Sequence, residues 1–196
     1  MVRTLLLWVP FFTSFGVLGI TVVWTPVLLR DHGIPPSQAA FVLGVHNIGA
    51  LIGMSSAGRL IERYGARATL VPGLLLGAGF VGALGYAAAS VPAMAAALFL
   101  VGLFVGLGAS GSIALAALSY PTAMRSTGIG WAMGMGRFGQ VLAPLLAAAA
   151  AVAGWTGSQL FLLFAIAPVL GALAILVLRS GRPLAAAARR PEERAL

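Results

Sequence analysis

Polar positions along this chain are gathered into short punctuating stretches, and the side chains between them are almost continuously apolar. Six apolar runs lie at about 5–29, 38–58, 69–88, 93–119, 127–151 and 159–178, each close to the roughly 20 residues that an α-helix needs to cross a hydrocarbon layer about 30 Å thick. The runs lack the alternation of barrel strands. Helices, which satisfy every backbone amide within their own segment, are therefore the expected elements. The pattern predicts an all-α integral membrane protein with six transmembrane helices over residues 1–179, followed by a basic cytoplasmic tail at 180–196. The opening MVRTLLLWVPFF has the charged start and apolar core of a signal peptide. Its apolar run continues to Leu29 without a small-residue cleavage pattern, so it reads as a retained span.

Composition agrees: 60% of residues are hydrophobic and 8% charged, with a mean hydropathy of +1.03, against the roughly 25% charged residues of soluble domains. The formal charge of +8 raises the question of nucleic acid, but that partner needs a basic face on a soluble fold. Here the arginines fall between apolar runs, where they report topology. Arg3, the group Arg59, Arg63 and Arg67, then Arg125, then Arg179, Arg182, Arg189, Arg190 and Arg194 occupy alternate connections, and the opposite side holds Arg30 alone. Ten arginines against one place both termini on the cytoplasmic side of the membrane. Cysteine is absent, histidine occurs twice and no acidic residue falls inside the six runs. A catalytic triad, a carboxylate pair and a metal cluster therefore have no candidates, and neither enzymatic activity nor a bound cofactor or metal is expected.

The candidate chemistry centres on Tyr120 to Pro144, where Arg137 lies deep inside an apolar run. Arg137 is twelve residues beyond Arg125, about 18 Å along a helix at 1.5 Å per residue and past the reach of easy snorkelling. A guanidinium keeps its charge, so this cation needs water, backbone carbonyls, a second subunit or a bound anion. A carboxylate suits its planar fork. Gln140 lies one turn further along the same helix. His46 and Asn47 are polar residues within the second run; their neighbouring directions let one line a cavity while the other packs. His46 is read either as a proton carrier or as a hydrogen-bonding packing residue, and Asn47 either as a substrate ligand or as an interhelical hydrogen-bonding group.

A second motif, GRLIERYGAR, runs from Gly58 to Arg67. Glu62 among Arg59, Arg63 and Arg67 suits either a conformational clamp or a simple charged anchor. The turn Arg30-Asp31-His32-Gly33 reads as solvated; Trp24, Trp131, Phe138 and Trp155 are candidates to stack on an aromatic ligand, with Trp24 and Trp155, near segment ends, read first as interfacial belt residues. Small-xxx-small pairs at Gly49/Gly53, Gly102/Gly106 and Gly130/Gly134 point to close helix packing. The six runs divide into two triplets that inverted repeats would relate, with the second helix corresponding to the fifth.

These residues resemble the major facilitator superfamily and, within it, the aromatic acid:H+ symporters. Gly58, Leu60, Arg63, Gly65 and Arg67 look like the superfamily's cytoplasmic gating motif, with Glu62 in place of its aspartate and Ala66 in place of a basic residue. Tyr120-Pro121-Thr122, Met124-Arg125, Thr127-Gly128, Gly130-Trp131 and Gly136-Arg137, followed by Pro144, resemble the symporters' segment in which both arginines are implicated in transport. Asn47, the opening RTLLLWVPFF and the Trp24, Pro26 pair are similar too, whereas His46 stands where an apolar residue is usual. The resemblance covers the C-terminal six of twelve helices, a 3+3 inverted-repeat half. It implies proton-coupled uptake of an aromatic carboxylate by rocking of two halves, with H+ as coupling ion. Arg137, Asn47, His46 and Gln140 would meet the substrate; Gly58, Glu62, Arg63, Gly65, Arg67 and Arg125 would gate. The expected partners are a small organic anion, the lipid bilayer and a missing N-terminal half or second subunit. The alternatives are a different organic anion, a non-transporting six-helix fragment, or a sensor that binds without flux.

Overall fold

The structure, a computed structural model, describes residues 2–87 and 90–178. Among them are six long helices: α1 (Val2–Asp31), α2 (Pro36–Tyr64), α3 (Ala66–Ala87), α4 (Val91–Ser119), α5 (Arg125–Val152) and α6 (Gly157–Val177), with a short 3-10 turn at Thr122–Met124 before α5. Each is long and apolar enough to cross a membrane. The tail expected at 180–196, with Arg179, lies outside the described residues.

Most helix ends lie close to those predicted, but α2 runs on to Tyr64 rather than stopping near 58. The charged residues that mark its exit from the membrane are good helix formers, so loss of hydropathy does not end the helix. The helix ends at Gly65, whose φ of 88° lies in the left-handed region that glycine enters without penalty. The connection between α2 and α3 is thus a single residue. α6 begins with a capping box in which the Thr156 hydroxyl accepts from Gln159 N and the Gln159 side chain accepts from Thr156 N, satisfying two of the helix's free donors.

The principal helix pairs are α2 with α4, α1 with α5, α3 with α6, α3 with α4, and α1 with α6. Exchanging α1 with α4, α2 with α5 and α3 with α6 maps this set onto itself, as the 3+3 repeat requires. In lipid the hydrophobic effect does not draw helices together, so packing depends on close approach. Gly49 and Gly53 of α2 meet the backbone of α4 at Phe99 and Leu103, and Gly102 and Gly106 of α4 meet the backbone of α2 at His46 and Ala50. Two of the three predicted small-residue pairs therefore face one another. The third, Gly130 and Gly134, has nothing within 4 Å among the described residues. That openness extends along both helices: 22% of the apolar window of α5 and 33% of that of α2 is buried, against 39% to 61% in the others.

Candidate functional site

Arg137 sits midway along α5, on its uncovered side. The adjoining side of the helix is glycine-lined and pressed against α1. Gly139 lies at the Phe12 carbonyl, Gly136 against the Phe15 ring, and Gly19 of α1 at the Gln140 backbone. This close approach brings the Phe15 ring under the cation, with the guanidinium carbon 5.7 Å from the ring centre, within the range of a cation–π contact. Arg137 Nη1 donates to Gln140 Oε1 at 2.9 Å, the side-chain partner supplied by the next turn of α5. An amide oxygen carries no charge, so this bond orients the guanidinium without neutralising it.

Pro144 adds a second polar feature. It lies inside α5 and has no N–H, so the Gln140 carbonyl loses its intrahelical donor. That oxygen faces Gly19, where the missing side chain leaves it room. Next to Arg137, Phe138 packs against Phe12 with ring centres 6.3 Å apart; Trp131, 66% exposed, lies about 9 Å further towards the start of α5. The arrangement is a fixed cation with one neutral acceptor, bordered by aromatic faces and open on one side.

The second-helix residues separate. His46 is buried, 1% exposed, and its Nδ1 lies 3.0 Å from the Leu98 carbonyl of α4. A carbonyl can only accept, so Nδ1 carries the proton in this bond. Asn47 is exposed on the uncovered face of α2. α2 and α5 are not among the packed pairs; α1 contacts both. Asn47 and Arg137 therefore stand on two open helix faces rather than in direct contact.

The motif residues also divide. Gly58, Arg59 and Glu62 are exposed on the last turns of α2. Arg63 lies over the Tyr64 ring at 5.3 Å. Arg67 Nη2 donates to the Leu176 carbonyl at 3.1 Å and to the Leu178 carbonyl, closing the C-terminal end of α6. Two of the arginines thus turn to an aromatic ring and to backbone carbonyls rather than to Glu62. Arg125 begins α5 with a buried Nε that has no hydrogen-bond partner among the described residues, as is true of the Tyr120 hydroxyl and the Trp8 indole nitrogen; the Tyr120 ring packs at Gly128.

Two neighbours of the site were not read from the sequence. Phe15 is one; its signal was the glycines flanking Arg137, which leave space for a bulky partner on the facing helix. Trp24 is the other. Its indole Nε1 donates to the Pro144 carbonyl at 3.3 Å, so the side chain expected in an interfacial belt ties α1 to α5.

The Major Facilitator Superfamily model matches residues 6–196. Among similar curated proteins, the 4-hydroxybenzoate transporter of Pseudomonas aeruginosa is 29% identical over 174 residues, 89% of this chain and 39% of that protein. The gallate transporter of Pseudomonas putida is 30% identical, covering 88% of this chain and 38% of its own. The 3-(3-hydroxy-phenyl)propionate transporter of Escherichia coli is 36% identical over 147 residues, 74% of this chain and 36% of that protein. The chain thus spans less than half the length of these relatives. Among solved structures, the inward-open xylose transporter of E. coli shares the fold, with a TM-score of 0.66 at 21% identity over 94% of this chain and 48% of that one. With six membrane-crossing helices in a repeat-symmetric arrangement and a family match along almost its whole length, the chain belongs to the Major Facilitator Superfamily.

Proposed function

We propose that this chain forms one half of a secondary transporter that takes up aromatic carboxylates, coupled to protons, by alternating access in the inner membrane. The observation that carries the reading is Arg137: a permanent cation halfway along α5, on an open face, with a neutral amide as its hydrogen-bond partner and an aromatic ring beneath. A carboxylate supplies the missing negative charge bidentately, and Phe15, Phe138 and Trp131 offer faces on which the ring of an aromatic acid stacks. Similar proteins named for 4-hydroxybenzoate, gallate and 3-(3-hydroxy-phenyl)propionate support that substrate class.

Asn47 lines the opposing wall, and the open faces of α2 and α5 meet a companion six-helix half, either an N-terminal half or a second copy. Both termini lie in the cytoplasm by the arginine distribution. No acidic residue lies within the six apolar runs, so the proton-carrying carboxylate belongs to the companion. Arg67 holds the cytoplasmic end of α6, and Arg125 and Arg63 mark the gate. The test is uptake of labelled 4-hydroxybenzoate into liposomes containing the chain with its companion half. Arg137→Gln should abolish uptake while insertion stays intact; full uptake by that variant sinks the reading. Liposomes holding the chain alone separate a self-sufficient homodimer, which transports, from a fragment, which does not.

A further inference from the structure

Away from Arg137, a second cation faces a preformed cleft. The ends of α1 and α2 that meet at the Asp31 to Pro35 turn enclose a cavity of about 340 Å³, within the range that holds small organic ligands. Its walls are apolar, with Pro26 and Val27 on one side and Ile34, Ala40 and Leu43 on the other; Arg30 is the charged residue among them. Asp31 and His32 adjoin Arg30 in sequence but do not line the cavity, and His32 Nδ1 is engaged with the Leu28 carbonyl at 2.9 Å. Pro35 and Pro36, where α2 begins, stiffen the turn because their φ angles are fixed.

The cleft also leads somewhere. On α2, Ala40, Leu43 and Asn47 follow at spacings of three and four residues, so they share one face, and Asn47 is exposed one turn below Leu43. On α1, Arg30, Val27, Val23, Gly19 and Phe15 follow at the same spacings. Val27 and Val23 are exposed, Gly19 packs on Gln140 and Phe15 lies under Arg137. This face of α1 is thus exposed beside the cleft at Val27 and Val23 and is closed by α5 at Gly19, with the two cations about 22 Å apart along it.

We infer that the Arg30 cleft is an outer capture site for the aromatic carboxylates of the proposed transport reaction, on which the inference rests. Arg30 draws the carboxylate to the mouth, the apolar walls take its ring, and the α2 face leads on from Leu43 to the exposed Asn47. A cation at the mouth of a low-dielectric cleft concentrates anions and accelerates their capture in a salt-dependent way.

The experiment measures 4-hydroxybenzoate uptake by the assembled transporter, with binding to this chain alone in nanodiscs followed by saturation-transfer NMR. Arg30→Gln should raise KM about tenfold at low ionic strength with kcat unchanged, and the difference should shrink at high salt. Leu43→Trp, which fills the cleft, should raise KM at every salt concentration, and Arg30→Lys should stay near wild type. In nanodiscs the wild-type chain should give a ring-proton signal that Arg30→Gln weakens and Arg137→Gln does not erase. Unchanged KM and unchanged NMR signal in both Arg30→Gln and Leu43→Trp overturn the capture site, even where Arg137→Gln abolishes uptake and so upholds the transport reading. Loss of KM control at Arg30 with full uptake by Arg137→Gln would uphold the cleft and reject the deep site instead.

Discussion

The guanidinium of Arg137 stands 5.7 Å from the centre of the Phe15 ring, an intramembrane cation resting on a face of the neighbouring helix while its charge stays open to one side. This geometry makes the two side chains separable by mutation. Arg137→Lys keeps the charge but loses the planar fork that meets a carboxylate through two hydrogen bonds. Uptake by Arg137→Lys should fall about tenfold to a hundredfold, from the roughly 1.5–3 kcal/mol of a hydrogen bond to a charged group. Phe15→Leu, which removes the ring and keeps an apolar side chain, should cost about twofold to fivefold in KM, in line with about 0.5–1 kcal/mol for an exposed cation–π contact. The ratio of KM effects to kcat effects in the two variants checks the assignment.

The glycine pairs give a prediction about stability. Gly53 leaves no room for a Cβ against the Leu103 carbonyl, whereas Gly130 and Gly134 have nothing within 4 Å. Gly53→Leu should destabilise the six-helix unit by at least about 1–3 kcal/mol through overpacking, lowering its melting temperature in detergent. Gly130→Leu should leave that temperature unchanged yet weaken association with a companion half, measured by co-purification. Equal melting shifts in the two variants would contradict the packing described.

What could be read from the sequence follows from what each signal measures. Hydropathy reports the contrast between lipid and water, so the six runs and the isolation of Arg137 were legible. It reports nothing about where a helix ends once it leaves the membrane, and α2 accordingly continued through Glu62 and Arg63 to Gly65. Small-residue spacing marked three glycine pairs but not their partners, and one of the three proved to face open space. The contacts of Phe15, Trp24 and Arg67 each depend on which helices lie side by side, information carried by tertiary packing rather than by any local pattern.

His46 allows its two readings to be separated by experiment. Its ring is buried and bonded to the Leu98 carbonyl, and the backbone of α2 at this position lies against Gly102. Such an interhelical bond is worth about 0.6 kcal/mol on average and up to about 1.7, with a further penalty for the cavity left by truncation. His46→Ala should therefore lower the melting temperature while the pH profile of 4-hydroxybenzoate uptake keeps its midpoint. A displaced midpoint in the surviving activity would assign His46 to the proton path.

Arg67 tests whether the Gly58 to Arg67 motif also holds the end of the bundle. Its guanidinium donates to the carbonyls of Leu176 and Leu178, oxygens that the C-terminal turn of α6 leaves without intrahelical donors, and the positive charge complements the negative end of that helix. Arg67→Ala strands these acceptors beside a half-buried position. The loss should be about 0.5–1.5 kcal/mol, the net worth of a typical hydrogen bond, with faster amide exchange confined to the last turn of α6. Arg67→Lys, a point charge without the fork, should recover the electrostatic part and leave the exchange partly elevated. Because Arg67 is the second residue of α3 while Glu62 stands on α2, Glu62→Gln should leave the α6 exchange pattern unchanged. Matching exchange profiles in Arg67→Ala and Glu62→Gln would mean that the carboxylate, and not the α6 carbonyls, is what Arg67 principally serves.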